Sequence, residues 1–589
     1  MKKTMKKISC LLGVLLFVLI GNSACSQKKS ETLDDLKAEM TKFVEKTMEK
    51  SDVVGLSLAL VDNQDIIWAE GFGYSDKAKN IKATPQTIYG IASISKLFTA
   101  TAIMQLQEMG KLDINSPIQT YIPEFKVKSR FENPGAITPR NILTHHSGLP
   151  NDIFYQAFTE KPDPISSIVE LLNKEYTCNQ PNMLHSYSNA GYGLLGALIE
   201  RTSGEDFYSY TTNHLLQPME MKSSSFRLTP EMEKFYTKGY ADGKEFKEPL
   251  SLCVSAGSMR SSVLDMANFM KMTFNNGTFN GKQIIKPETL KEMQTSQNAD
   301  CKLDFNFSIG LGWQLNRNTS LGYVGGLAEH GGDEYVSHGK LRTFTDHKIG
   351  IIVLVNTKSG GSATRTIAHR ILREYLELKT GIKPPKDEKV KSESITMNDQ
   401  QLDAIAGVYS MGTELMVFTP KKGKLETEQN STKLIFSPNN LGSFSVTAKL
   451  MGFFPLKIKN QFFAFKNIDK VDYLLFIESA KDTSVAGIRI SKQVITDLWR
   501  SRMGEYEIVN DNAPFKVISD FVLREKDGYI FMDSKIFQED ESTMIIKPIS
   551  SEEAIIDGIG RNTGATVSFN GDEMYFAGLK LKKVVAANK

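Results

Sequence analysis

Ser93-Ile94-Ser95-Lys96 stands between an extended-looking run, Gln86-Thr87-Ile88-Tyr89-Gly90, and an apolar helical run from Leu97 to Met109. It places a hydroxyl and an amine one helical turn apart, and residues three apart share a helix face. A hydroxyl is a weak nucleophile at neutral pH and needs a base beside it, while the free amides and positive end of a helix N-terminus favour negative charge building there. The stretch therefore reads as an activated serine at the start of a helix that Gly110 ends by supplying a left-handed stop. The spacing alone is cheap. About two Ser-x-x-Lys arise by chance in a chain this long, and a capping serine with a solvated lysine accounts for a single one.

Two further groups follow in order. Tyr187-Ser188-Asn189 precedes a Gly/Ala-rich helical run, Ala190 to Glu200, and His330-Gly331-Gly332 lies ahead of a strand-like run, Ile349 to Val355. In isolation the first is explained by a tyrosine at a helix start with an asparagine cap. Together, Ser-x-x-Lys, Tyr-x-Asn and a third motif ending in Gly resemble the serine hydrolases related to class C β-lactamases, D,D-peptidases, D-aminopeptidases and the esterases of that fold. The resemblance extends to stretches without catalytic chemistry, Gly110-Lys111-Leu112-Asp113 and Ile137-Thr138-Pro139-Arg140-Asn141-Ile142-Leu143-Thr144-His145-His146-Ser147-Gly148-Leu149-Pro150.

The resemblance implies an acyl-enzyme. Ser93 would attack a carbonyl, and Lys96 as a neutral amine or Tyr187 as a phenolate would take its proton; the sequence leaves the two open. Tyr187 is suited to protonate the leaving group and then to activate water. Asn189, His330 and Gly332 are the expected substrate-binding positions, and the backbone amides of Ser93 and Asp333 the expected oxyanion hole. His330-Gly331-Gly332 departs from the Lys-Thr-Gly of true β-lactamases, so recognition of a carboxylate beside the scissile bond should be weaker. Glu334-Tyr335-Val336-Ser337 lacks the Gly-rich turn typical of the family, so this loop is expected to shape specificity. Phe154, Tyr155 and Tyr323 are candidates either for the cleft wall or for ordinary packing. No cofactor and no metal are expected. The adjacent pair His145-His146 reads as a loop-packing feature, because neighbouring residues point apart and no carboxylate partner is evident.

The chain has 589 residues, too many for one core, and its 41% hydrophobic and 24% charged content suits a soluble globular protein. Lys2, Lys3, Lys6 and Lys7 precede an apolar run, Leu11 to Ile20, that is short for a bilayer, and then Ser23-Ala24-Cys25. Residues 1–24 thus read as a signal peptide. Cys25 resembles the lipidated residue of bacterial lipoproteins, although Asn22 departs from the aliphatic residue usual there and leaves ordinary cleavage open. Losing residues 1–24 removes four lysines and no acids, which turns the net charge from +3 to −1. That balance gives no reason to expect nucleic-acid binding. Cys178, Cys253 and Cys301 are too few and scattered for a disulfide framework, with room for one pair at most.

The order of elements predicts an α+β domain. A first helix covers Glu31 to Met48 and a hairpin covers Val54 to Val61 and Ile66 to Gly71. Helices follow at Ser93–Met109, Pro164–Lys174, Tyr192–Arg201, Ser262–Asn275 and Pro287–Gln294. Strand character returns at Gly310–Trp313, Tyr323-Val324, Arg342–Phe344 and Ile349–Val355, before a closing helix at Ser362–Leu378. The two ends should complete one antiparallel sheet flanked by helices, with a helical lobe inserted, as in the β-lactamase/transpeptidase fold. A charged, Pro-containing run from Lys383 reads as a linker, and beyond it lie short strand-like segments. Leu402–Tyr409 is echoed by Leu498–Tyr506, which suggests two related β modules, small antiparallel barrels, with a single larger barrel or sandwich as the alternative. The expected organisation is 1–24 signal peptide, 25–32 tether, 33–382 hydrolase domain, 383–396 linker, 397–494 and 495–589 β modules.

The functional expectation is an exported, lipid-anchored serine hydrolase of the bacterial envelope, acting on D-amino-acid-containing peptides in the manner of a D-aminopeptidase or D,D-carboxypeptidase. Alternatives are a carboxylesterase or weak β-lactamase of the same fold and, from another class, a non-catalytic sensor or binding protein. Expected partners are a small peptide, amide or ester and, through the anchor, a membrane.

Overall fold

The computed structural model describes residues 32–584 except 316–319, 386–389, 413, 430–431, 451–453, 479–481 and 514. The expected signal peptide, Cys25 with most of the tether, and the centre of the linker lie outside the described residues.

The sheet of the first domain closes between its two chain ends. Strand Gly55–Asp62 pairs with Asp65–Asp76 on one side and with Ile349–Val355 on the other, both antiparallel. His338–Phe344 comes next and then Leu327–Asp333, in an eight-stranded sheet. Ile349–Val355 is aliphatic apart from Gly350 and is buried along its whole length, as a central strand covered on both faces must be. Helices Leu33–Lys50 and Gly361–Thr380 cover one face; the first presents Leu36, Met40, Val44 and Met48 at helical spacing to that core. The helical lobe covers the other face. Its central helix, Ser95–Glu108, is buried from Ser95 through Leu106, so it is a core helix with no solvent side over that span. Gly110 ends it with φ +68°.

Two expected strands are turns. Gly310–Trp313 connects the short strands Ser308–Ile309 and Gln314–Leu315, and Tyr323-Val324 lies in the turn before Leu327. The two glycines serve close approach. A Cβ on Gly310 would stand 2.0 Å from the Met293 carbonyl oxygen, and one on Gly312, at φ +84°, would stand 2.7 Å from the Ala100 Cβ of the central helix.

Beyond the first domain lie two closed antiparallel barrels of eight strands, Gly407 to Ile490 and Gly504 to Lys583. The first and last strands pair in each, Val408 with Ile490 and Tyr506 with Lys583. The repeated sequence has a repeated physical role. Helices Asp399–Ile405 and Asp497–Ser501 each lead into a first strand through a left-handed glycine, Gly407 at φ +136° and Gly504 at φ +137°. Two residues later a tyrosine reaches back, Tyr409 Oη donating to Ile405 O at 3.0 Å and Tyr506 Oη to Arg502 O at 2.8 Å. Each tyrosine is buried in the core of its barrel and satisfies a carbonyl at the helix end.

Candidate active site

Ser93 lies in a 3-10 turn, Ala92–Ile94, immediately before the central helix. Ala92 has φ +47°, a conformation that costs a residue with a Cβ about 1 kcal/mol and persists only where the surroundings enforce it. Here they do. Ser95 Oγ donates to Ala92 O at 2.5 Å and accepts from Met259 N at 3.1 Å, while a Cβ on Gly332 would stand 2.2 Å from the Ile91 carbonyl oxygen. Gly332 thus lets the strand Leu327–Asp333 approach the backbone that presents Ser93.

Lys96 is fully buried and holds the centre. Its Nζ lies 3.1 Å from Ser93 Oγ, 2.8 Å from Asn189 Oδ1 and 2.7 Å from Ala256 O, and 4.8 Å from the centre of the Tyr187 ring. Asn189 begins helix Asn189–Ser203, which Ser188 caps through Gly191 N. The neighbouring Tyr187 lies against His145 with ring centres 4.1 Å apart and the planes tilted by 32°. His145 Nδ1 accepts from Ser188 N at 3.0 Å, which puts the ring hydrogen on Nε2. Burial, with the neighbouring His185, Lys96 and His330 acting in the same direction, holds His145 well below the ordinary histidine range, so it is neutral. His330 is buried within electrostatic reach of that ring, and its Nδ1 lies 2.6 Å from Gly331 O. Ser93, Lys96, Tyr187, Asn189 and His330 therefore converge from three segments of the chain.

Behind Asn189 stands a group that the sequence did not announce. Asn189 Nδ2 donates to Asp152 Oδ1 at 2.8 Å, and Asp152 also accepts from Arg561 of the second barrel, Nε to Oδ2 at 2.5 Å and Nη2 to Oδ1 at 2.7 Å. Burial works against the Asp152 charge, but Arg561 and Asn189 hold its carboxyl below the usual range. Next to it, Asn151 donates to Tyr187 O at 2.6 Å and accepts from Asn562 N at 2.7 Å. The loop Gly558-Ile559-Gly560-Arg561-Asn562-Thr563-Gly564 is the element that reaches across. A Cβ on Gly564, at φ +82°, would stand 2.2 Å from the Cys178 carbonyl oxygen. That run of glycines between strands was the one available sequence signal of a close backbone approach.

The hairpin after Gly332 explains the missing Gly-rich turn. Asp333, whose carboxylate meets His338 Nδ1 at 2.8 Å, leads into Glu334-Tyr335-Val336-Ser337, and Glu334 N donates to Ser337 O at 2.9 Å. Tyr335 and Val336 are buried against Phe515 and Phe537 of the second barrel, and Tyr335 Oη donates to Glu539 at 2.7 Å. A glycine there would offer the barrel nothing to dock on. Glu334 points inward. Burial and the carboxylate of Glu248 push it up to about 8, against the pull of Arg260 and Lys96.

Ser93, Asn189, Asp333 and Glu334 border a cavity of about 580 Å³ whose far wall comes from the barrels: Met411 and Gly412 of the first, Phe537, Asp557 and Arg561 of the second. Phe154 lines it, Tyr155 lies on a different cleft, and Tyr323 joins the sheet core against the closing helix. Tyr187 faces a second cavity of about 630 Å³ on the other side of Gly558–Arg561. Cys178, Cys253 and Cys301, the cysteines among the described residues, are free. One sequence expectation needs correcting. His145 and His146 do point apart, but His146 has a carboxylate partner, Asp304, at 2.8 Å.

The family profile described as Beta-lactamase matches residues 40–375, more than half of the chain. The chain belongs to the beta-lactamase family. Within this family of serine hydrolases, it is 31% identical over 208 residues to Protein flp of Staphylococcus aureus (strain MW2), which is 35% of this chain and 42% of that protein. It is 32% identical over 232 residues to the putative penicillin-binding protein PbpX of Bacillus subtilis (strain 168), 38% of this chain and 56% of the relative. The chain thus spans about half the length of the curated relatives it matches. A solved structure, the octameric penicillin-binding protein homologue from Pyrococcus abyssi, is 23% identical with a TM-score of 0.50, covering 86% of this chain and 99% of that one. At that identity the likeness is one of fold, and its coverage extends past the beta-lactamase-like domain into the barrels.

Proposed function

We propose that this protein is a serine hydrolase that works through an acyl-enzyme on small amides, with peptides carrying an N-terminal D-amino acid as its substrates. The observation that carries the chemistry is the threefold environment of Lys96 Nζ, with Ser93 Oγ, Asn189 Oδ1 and Ala256 O all within hydrogen-bond distance. As a neutral amine it has two hydrogens for Asn189 and Ala256 and a lone pair left for the Ser93 hydroxyl proton. Ser93 Oγ then bonds to the carbonyl carbon, and the oxyanion forms at the amides of Ser93 and Asp333. The proton passes through Lys96 or Tyr187 to the leaving nitrogen as the C–N bond breaks. Water returns along the same route and frees Ser93.

The shape and charge of the cavity support the substrate class. Its volume of about 580 Å³ is that of a small-molecule site, and the barrels supply its far wall. Asp557 lines it together with Glu334, which keeps its proton up to about pH 8, while Arg561 is taken up by Asp152, Asp333 is taken up by His338 and Arg365, and His330 stands at the position of a lysine in relatives. Such a wall suits a substrate ammonium better than a carboxylate, which favours an aminopeptidase over a D,D-carboxypeptidase or a β-lactamase. The aromatic wall of Phe154, Phe158 and Phe537 favours a second reading, an esterase for short acyl chains.

The test is a panel of D-alanine amide, its N-acetyl derivative, D-Ala-D-Ala peptides, short-chain esters and a chromogenic cephalosporin. The free D-aminoacyl amide should be cleaved fastest, with N-acetylation lowering kcat/KM at least tenfold. Turnover of the esters alone would establish the second reading. Binding of several of these with no turnover would make the protein a sensor. Export and anchoring through Cys25 belong to the same proposal, and Cys25→Ala should move the protein from the membrane fraction to the soluble one.

A further inference from the structure

His146 turns away from the candidate active site and meets the turn Cys301-Lys302-Leu303-Asp304, closed by Asp304 N donating to Cys301 O at 3.1 Å. One ligand atom each of His146, Cys301 and Asp304 lies within 4.8 Å of the other two, with His146 Nε2 and Asp304 Oδ2 2.8 Å apart. His146 and Asp304 are each only 2% exposed at the side chain. Imidazole, thiolate and carboxylate are the donor set of zinc, and bond lengths of about 2.0 to 2.3 Å in a tetrahedron put such donors about 3.3 to 3.7 Å apart. Side-chain adjustments of about 1 Å would bring the trio to that spacing.

We propose that His146, Cys301 and Asp304 bind one thiophilic divalent cation of the zinc class, with the fourth position open to water. The surroundings fit a ligating trio. Asp304 is oriented from outside by Asn298 Nδ2, and His185 N donates to its Oδ1 at 2.9 Å, the outer hydrogen bonds that fix ligating carboxylates. Asp304 also borders the second cavity, which gives the ion an entry path. Cys301 Sγ donates to Asn182 O at 3.3 Å, and binding would release that thiol proton to solvent as the metal–sulfur bond forms.

The site would be structural. It joins the turn of His145 and His146, whose backbone bonds Asn182 and Ser186 and whose ring supports Tyr187, to a segment anchored on the first barrel by Lys302 Nζ to Asp469 at 2.9 Å. The competing occupant is a proton shared by the same three groups, with His146 then held as an imidazolium beside Asp304.

Cobalt(II) separates the two. The full chain, stripped with chelator and desalted, should take up one equivalent of Zn(II) by elemental analysis. With Co(II) it should show thiolate-to-cobalt charge transfer and the visible bands of a four-coordinate ion. Cys301→Ser, at a half-buried position that tolerates the change, should remove the charge-transfer band and weaken binding at least tenfold, and Asp304→Asn should weaken it as well. Cys253→Ser should keep the band. No charge transfer in the unsubstituted chain, or a band that survives Cys301→Ser, would overturn the proposal and leave the trio a proton-bridged ion pair.

Discussion

Arg561 of the second barrel and Asp152 of the beta-lactamase-like domain share two hydrogen bonds, although they stand 409 positions apart in the chain. Through Asn189 the pair reaches Lys96, so a residue of the last barrel sets where the amide between them points. The fork geometry of arginine makes this a positioning contact and not merely a charge.

Arg561→Ala should therefore lower kcat on the best substrate of the panel by about tenfold to a hundredfold, in the range seen for lost supporting shells. KM should change less. Arg561→Lys keeps the charge but supplies one nitrogen instead of a fork, and it should recover only part of the rate. Steady-state kinetics on the three proteins check this, and equal kcat values would mean that Asn189 is held by Asp152 alone.

The motif residues Ser93, Lys96, Tyr187 and Asn189 were legible because their chemistry imposes a fixed spacing on a helix start, and the sheet was legible because aliphatic runs at both ends of the domain have to find one another. Asp152 and Glu334 were not. Each takes its meaning from a partner far away in sequence, Arg561 or Glu248, and periodicity records only neighbours. Gly310–Trp313 misled for a related reason. Its apolar residues are there to be buried against the lobe, and glycine density, read as strand, marks contact.

Ser93→Ala should abolish labelling by a fluorophosphonate probe, while Ser95→Ala should retain it. The hydroxyl of Ser95 is occupied at both ends, by Ala92 O and Met259 N, and has no path to the cavity. Ser95→Ala should cost about 1 to 3 kcal/mol of stability because it leaves a buried amide unsatisfied. Gel fluorescence and thermal melts separate the two effects.

Glu334 makes stability depend on pH. Its carboxyl is raised from 4.5 to about 8, so between those values the native protein keeps a proton that the unfolded chain has released. Stability should fall as pH rises through that window, with no further contribution below 4.5 or above 8. Glu334→Gln keeps the shape without the proton. Relative to it, the parent should lose about 1 to 3 kcal/mol between pH 5 and pH 8, measured by urea unfolding at both. Identical pH slopes would remove Glu334 as the source.

Tyr335→Phe deletes the hydrogen bond to Glu539 and keeps the ring between Phe515 and Phe537, at a cost of about 1 kcal/mol. Tyr335→Ala empties the contact and should cost about 3 kcal/mol or more, with the second barrel becoming sensitive to limited proteolysis before the rest. A uniform loss of resistance along the chain would indicate that the hairpin does not dock the barrel.

The far wall of the cavity is made after the beta-lactamase-like domain, because the barrels that supply it follow that domain in the chain. A chain still being synthesised can assemble Ser93, Lys96 and Tyr187 once the first domain has folded, but Asp152 then has no arginine and the cavity stands open on the side that Phe537 and Arg561 later close. Enclosure of the cavity thus waits on the second barrel: the wall beside Ser93 is complete only once that barrel has been delivered and docked.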